Sequence, residues 1–382
     1  MESNSLREVS TVGTVAHLAQ TIREGLKEAH PDLGKTLLRK LPLAVAAMME
    51  AQTANTRAVA NLLPLESERL DMREQWLRRL LANDRLKSET VLAPWARQAL
   101  REAGANGQVI VLSMDQTDLG ERFAVLMISV RVGDRALPLA WRVEVGEANL
   151  GFDWQQELLE QVRRWLPAGA KVMMLADRFY PSRSLIEWLQ AAGWHYRLRL
   201  KGNLSVDVGR GDIETTGDLA VGVKERYEPH ARLFEQGVPT PIGVLHEAGH
   251  AEPWIIAMDC FPTKARVLDY GLRWGIEPMF SDFKSRGFGL EETQLQVPER
   301  LDRLILIMAL AMHWCVRCGR ADAWQAPTPT EKKARQQTDP DHWSVRKAYR
   351  SCVSWFTRGL RKLLYLAQRG LSLPSFFVRA NL

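Results

Sequence analysis

The chain has 382 residues, 46% hydrophobic and 25% charged, with a formal net charge of +6. That length is enough for more than one structural unit, and that balance excludes a disordered or fibrous chain. The positive charge suits a polyanionic partner, and thirteen Trp against six Tyr supply flat rings that either stack on bases or fill a core.

Residues 1–105 carry apolar residues at three- and four-residue spacing over 14–29, 34–52 and 67–83, which predicts a helical region. In the third stretch Arg73, Arg78 and Arg79 stand beside Trp76, a mixture that either grips phosphates or simply solvates a surface. The opening "MESNSLREVS" has neither the basic start nor the apolar stretch of a signal peptide.

From about 107 the period changes. "QVIVLSMD", "FAVLMISVRV" and "ALPLAWRVEV" read as three successive strands, the first buried on both faces. A helix over 152–166, a strand over 170–177, a helix over 182–193 and a strand over 195–201 follow. A meander followed by alternating helix and strand predicts an α/β layer fold, in the order of a ribonuclease-H-like mixed sheet flanked by helices. Residues 202–262 break the alternation with glycines and short strand-like pieces, the mark of a β-rich insertion. The expected division is therefore a helical region over 1–105, a ribonuclease-H-like core over 106–201 and 263–320, the insertion over 202–262, and a basic helical region over 321–382.

His246-Glu247-Ala248-Gly249-His250 matches the H-E-x-x-H pattern of zinc proteases. That pattern works only on a helix, where the two imidazoles share one face. Pro239, Pro241 and Gly243 before it and Pro253 after it argue instead for a hairpin of "IGVLH" and "PWIIAMD". Cys260, Cys315, Cys318 and Cys352 are too few and too irregular for a disulfide framework, so a reducing, cytoplasmic setting is expected. Cys315 and Cys318 form a lone C-x-x-C in the apolar run that begins at Leu304, and read as buried thiols. Roughly 13 residues long and holding His313, that run is expected to be too short and too polar for a membrane span.

Two carboxylates close apolar strands: Asp115 ends "VIVLSMD" and Asp177 ends "KVMMLAD". Sites gather at the carboxyl ends of strands in open α/β sheets, although Asp also opens turns and caps helices. Asp118 is expected in a turn. Further on, Tyr270, Arg273, Glu277 and Lys284 recur at steps that bring them to one side of a helix, as a catalytic face or as a salt-bridged amphipathic surface. Pro278 disfavours α geometry at Glu277, so either the helix kinks or a new one starts with Pro in its first turn.

The Tyr270-x2-Arg273-x3-Glu277-x6-Lys284 spacing resembles the Y-x2-R-x3-E-x6-K signature of DDE transposases of bacterial insertion-sequence family four. "SMDQTDL" and "LADRFYPSRSLIEWL" resemble the segments around that family's first and second acids, and the likeness runs from about 107 to 318. The resemblance implies hydrolysis of DNA phosphodiesters at transposon ends, a hairpin intermediate, and strand transfer by the freed 3′-hydroxyl into a target. It implies Asp115, Asp177 and Glu277 as catalytic ligands of two Mg2+ or Mn2+ ions, hard cations that prefer oxygen donors. Tyr270, Arg273, Lys284 and Arg178 would contact DNA phosphates, Trp254 would stack on a flipped base, and Trp274 would pack nearby or in the core. The partners implied are double-stranded DNA, in terminal inverted repeats and target, and a second copy in a homodimer, with no membrane. The alternatives are a catalytically silent DNA-binding descendant and, from a different class, a zinc metalloprotease built on His246 and His250.

Overall fold

Eight consecutive buried residues, Phe123–Val130, open strand β2 (Phe123–Val132) and dictate a strand covered on both faces. In the computed structural model, which describes residues 13–133, 135–146, 150–210, 213–247, 251–329, 331–332 and 353–378, β2 pairs antiparallel with β1 (Ile110–Leu119) and β3 (Arg135–Val145). The β2–β3 register shifts between Ile128 and Ser129, opposite Pro138, where an edge strand tolerates a residue without an N–H. β1, β4 (Val172–Ala176) and β5 (His195–Arg199) then run parallel. α7 (Arg183–Ala191) is the crossover a parallel β4–β5 pair requires, and α6 (Phe152–Arg163) packs on β2 and β3.

The sheet continues through β12 (Trp254–Met258), β11 (Ile242–Leu245) and β8 (Glu225–Glu228), all antiparallel, giving the order β3-β2-β1-β4-β5-β12-β11-β8. This is the mixed, helix-flanked sheet of the ribonuclease-H-like class. Residues 202–262 thus contribute to two sheets. Besides the three strands just named, β6 (Ser205–Asp207), β7 (Ile213–Thr215), β9 (Arg232–Leu233) and β10 (Val238–Pro239) form a separate four-stranded one. The expected hairpin over 242–259 is present as β11 and β12, although His250 lies outside the described residues.

By contacts the chain divides into residues 1–91 with 282–382, and residues 92–281, which contain both sheets. The first unit is helical: α1 (Thr14–Ala29), α2 (Lys35–Ala51), α3 (Thr56–Asn61) and α4 (Leu70–Leu81) join the long α10 (Pro298–Gln325) and α11 (Trp355–Gln368). α5 (Ser88–Ala103) begins in this unit and continues into the other. α10 starts with Pro at its first position, where the missing N–H is harmless. The apolar run that looked too short for a bilayer is part of this 28-residue helix, which is long and apolar enough to cross one. Yet 83% of its most apolar window is buried, because α10 is the helix against which α2, α4 and α11 pack. Cys315 and Cys318 are buried there as expected, and burial pushes both thiols up, Cys318 to about 11.

α10 and α11 cross at Gly319 and Gly359. A Cβ on Gly319 would overlap the Trp355 carbonyl, and one on Gly359 would overlap that of Cys315, so only glycine permits this approach. In α4, Arg73 is spent on the carbonyls of Ser67 (2.7 Å) and Asn61 (2.8 Å), and Arg78 on Glu74 (2.8 Å). The basic face read from the sequence is here partly a means of holding the helix.

Candidate active site

Strand register sets the site. Met114 pairs with Ala176, Ala176 with Leu198, and Arg199 with Ile256. One step on, Asp115, Asp177 and Arg199 stand level on neighbouring strands, and period-two alternation puts Trp254 on the face of Ile256. Asp115 does not end its strand: β1 runs on to Leu119 because Gln116–Leu119 still pair with β2. Only the parallel ladder to β4 ends beside Asp115. Asp118, expected in a turn, is likewise in β1, where Gln116 Nε2 donates to its carboxylate (2.9 Å).

The segment carrying Tyr270, Arg273 and Glu277 is not one α-helix. It is α8 (Lys264–Leu268), capped by Thr263, then a 3-10 turn over Asp269–Gly275, then α9 (Ile276–Phe283), with Pro278 in the first turn of α9. A 3-10 turn eclipses residues three apart, which brings Tyr270 and Arg273 together, and the start of α9 brings Glu277 to Arg273. Gly275 permits this segment to lie close to β3: a Cβ there would stand 3.2 Å from the Arg135 backbone. Buried Arg197 on β5 ties the segment down from the other side, pairing with Asp259 (3.0 Å) and Asp269 (3.3 Å) and donating to the Arg266 carbonyl (3.0 Å).

Arg273 is the centre of the site. Its side chain, 7% exposed, donates Nη1 to Asp115 Oδ2 (2.9 Å), Nη2 to Glu277 Oε1 (2.8 Å) and Nε to Tyr270 Oη (3.0 Å). Burial opposes the guanidinium charge, but Tyr270, Asp115, Glu277 and Asp177 together hold its pKa above the ordinary value. Burial also raises the carboxyl of Asp115 to about 6; Arg273 and the Gln116 N–H (3.0 Å) pull it down, while Asp177 and Glu277 push it up. Asp177 and Glu277 therefore both lie close enough for their charge to act on Asp115. Asp177 accepts from the Arg178 N–H at the turn after β4, and buried Tyr180 lies close enough to Asp115 and Asp177 for both to raise its phenol, after burial itself.

Lys284 is the fourth residue of the signature spacing. It lies beyond α9, in the other unit, and pairs with Glu291 (3.3 Å). Trp254, 7% exposed, packs edge-on against Tyr270 (5.2 Å) and Trp274 (5.6 Å) in a core with Leu245, Ile256 and Val267. Its remaining surface lines a pocket of about 300 Å3 with Arg199, Glu252, Tyr270, Arg273 and Trp274. At the rim Glu252 Oε2 accepts from Arg178 (3.1 Å) and Arg199 (2.9 Å). Arg199, Glu252 and Tyr180 had escaped the sequence reading, although Arg199 closes β5 much as Asp177 follows β4.

The three acids offer carboxylate oxygens, the donors that a hard divalent ion takes, and half-buried Asp115, beside the like charges of Asp177 and Glu277, gains from a cation next to it. The donor set fits such an ion, although among the described residues no three His, Cys, Asp or Glu stand together as a ligand set while Arg273 lies between Asp115 and Glu277. Of the H-E-x-x-H pattern, His246 follows β11 and is not on a helix, the geometry which that pattern needs, and His250 lies outside the described residues.

No curated protein matches the chain. A family model described as transposase DDE domain matches residues 120–314, half of the chain, including Asp177, Tyr270, Arg273, Glu277 and Lys284 and beginning just after Asp115. By that match the chain belongs to the transposase DDE domain family, whose members act on DNA and generally use divalent metals.

Proposed function

We propose that this chain is a catalytically competent transposase of an insertion sequence, of the family-four type, which cuts DNA at transposon ends and joins them to a target with Asp115, Asp177 and Glu277 as its catalytic acids. The observation that carries this reading is the Arg273 bridge: residues 158 and four positions away in the chain, Asp115 and Glu277, meet on one guanidinium.

A pair of Mg2+ or Mn2+ ions bound by the three carboxylates would supply the Lewis acidity that activates a water or 3′-hydroxyl and stabilises the leaving oxygen. The chain's own groups do the rest. Arg273 gives a planar fork matched to a phosphate, and the Tyr270 hydroxyl, which accepts from Arg273 Nε, keeps that fork oriented. Burial holds the Tyr270 phenol up at about 12, so it stays protonated as a neutral hydrogen-bond donor to a phosphate oxygen. The pocket beside Trp254 would receive a base flipped out of the duplex as the cut end forms a hairpin, with Arg178 and Arg199 on its phosphates. Lys284 would contact DNA further along, the helical residues 1–105 and the basic residues 321–382 would bind DNA or pair two copies, and residues 106–201 with 263–320 would form the catalytic core.

The test is cleavage of a transposon-end DNA in Mg2+ by Glu277→Gln and His246→Ala variants. Loss of cleavage in the first and its survival in the second are expected, and Glu277→Gln that still cuts would remove the mechanism.

A further inference from the structure

The turn after β4 presents an aromatic ring for which the family reading has no use. Asp177, Arg178, Phe179 and Tyr180 follow β4, with the Tyr180 N–H bonded to the Asp177 carbonyl (3.2 Å). The turn buries Tyr180 and turns Phe179 outward, 57% exposed. Cations flank that ring: Lys201 Nζ lies 4.9 Å and the Arg178 guanidinium 5.9 Å from its centroid. Lys201 follows β5, and because β4 and β5 are parallel both loops emerge at the same edge as the acids. Trp254 and Tyr270, by contrast, are mostly buried and show only the surface that lines their pocket.

A single exposed ring needs no cover of its own, but a ring that already holds cations and stands at the same sheet end as the acids has the two elements of a nucleotide contact, a π face and positive charge. An unpaired nucleotide matches both: its base has a π face for the ring and its phosphate has a charge for Lys201 and Arg178. Phe179 is two residues from Asp177, so the nucleotide it would hold is close to the phosphodiester at the acids.

We infer that Phe179, flanked by Lys201 and Arg178, is a stacking platform for an unpaired base adjacent to the phosphodiester being cut, on a strand opened at the DNA end. This rests on the transposase reading above. The ring is distinct from Trp254, Arg178 linking the two through Glu252 (3.1 Å), and it makes the protein prefer ends with single-stranded character over intact duplex.

The experiment is fluorescence anisotropy with a labelled duplex carrying a short single-stranded overhang, the same duplex with an abasic overhang, and a blunt duplex, in Ca2+ to prevent turnover. Phe179→Ala is expected to weaken binding of the overhang duplex by about tenfold, within the range for loss of one base–aromatic stack, and to leave the blunt and abasic duplexes unchanged. Phe179→Leu should lose as much, because it is apolar without a π face, and Phe179→Trp should retain binding. Lys201→Gln should lower the salt dependence of overhang binding by about one counterion. The exposure of Phe179 makes these variants safe for folding, which an unchanged melting temperature confirms. Equal binding of the overhang duplex by native protein, Phe179→Ala and Phe179→Leu overturns the platform while leaving the transposase reading intact. A native chain that binds none of the three duplexes overturns both.

Discussion

Removing Arg273 tests the charge balance of the site. In Arg273→Ala, Asp115 loses the cation 2.9 Å from its carboxylate, while Asp177 and Glu277 continue to repel its charge. Breaking a fully buried pair from one side costs on the order of 3–5 kcal/mol, an upper limit here because the Asp115 side chain is 21% exposed, whereas the Glu277 half, with a carboxylate 56% exposed, contributes at most about 1 kcal/mol. The loss is bounded, because the carboxyl can take a proton instead: with a folded pKa of about 6, protonating Asp115 at neutral pH costs at most about 1.4 kcal/mol. For a unit of this size, a charge loss of about 1.4 kcal/mol lowers the melting temperature by about 3–6 °C. A divalent ion supplies the missing charge, so millimolar Mg2+ should raise the melting temperature of the variant more than that of native protein, which must first release Arg273 from Asp115. Scanning calorimetry at neutral pH with and without Mg2+ measures both shifts. A variant that melts with the native protein, and gains no more from Mg2+, refutes the claim that Arg273 is the counter-charge of an ion site.

Other consequences are read by simpler measurements. Asp115 has a folded pKa raised to about 6, so the stability it contributes is fully present below the ordinary carboxylate pKa and is lost as pH rises through 6. Ion binding runs the opposite way, since it needs the ionised form: Ca2+ affinity by calorimetry should weaken as pH falls below about 6, and a flat profile between mildly acidic and neutral pH would contradict the assignment. Gly243→Ala on β11 would drive a Cβ into Val267 of α8, destabilising the protein by about 1–3 kcal/mol; a denaturation midpoint equal to native would show that α8 is free to retreat.

The strands of the core were legible because their apolar runs are long and their period changes sharply at about 107. Asp115 and Asp177 were legible for the same reason: each is the first acid after such a run. What periodicity did not carry is pairing. β1 continues past Asp115 through polar residues because β2 lies alongside, and hydrogen-bond partners on another strand leave no mark in the alternation. The strands β8, β11 and β12 looked like parts of an insertion because they are four or five residues long and separated by glycines and prolines, yet edge-to-edge pairing joins them to the main sheet. The break between 3-10 and α geometry at Gly275 and Ile276 was half visible in Pro278, which belongs in the first turn of a helix.

The break explains why the signature holds together without a continuous helix. An unbroken α-helix places residues four apart on one face and those three apart slightly off it. The observed segment uses the 3-10 turn for the three-residue step from Tyr270 to Arg273 and the entry into α9 for the four-residue step to Glu277, so each spacing is met by the geometry that suits it. Both side chains then converge on one guanidinium. Lys284 directly follows the last residue of α9 and pairs with Glu291 (3.3 Å), while Tyr270 and Glu277 both bond Arg273. Spacing in a sequence specifies a shared face only as far as one regular backbone geometry persists.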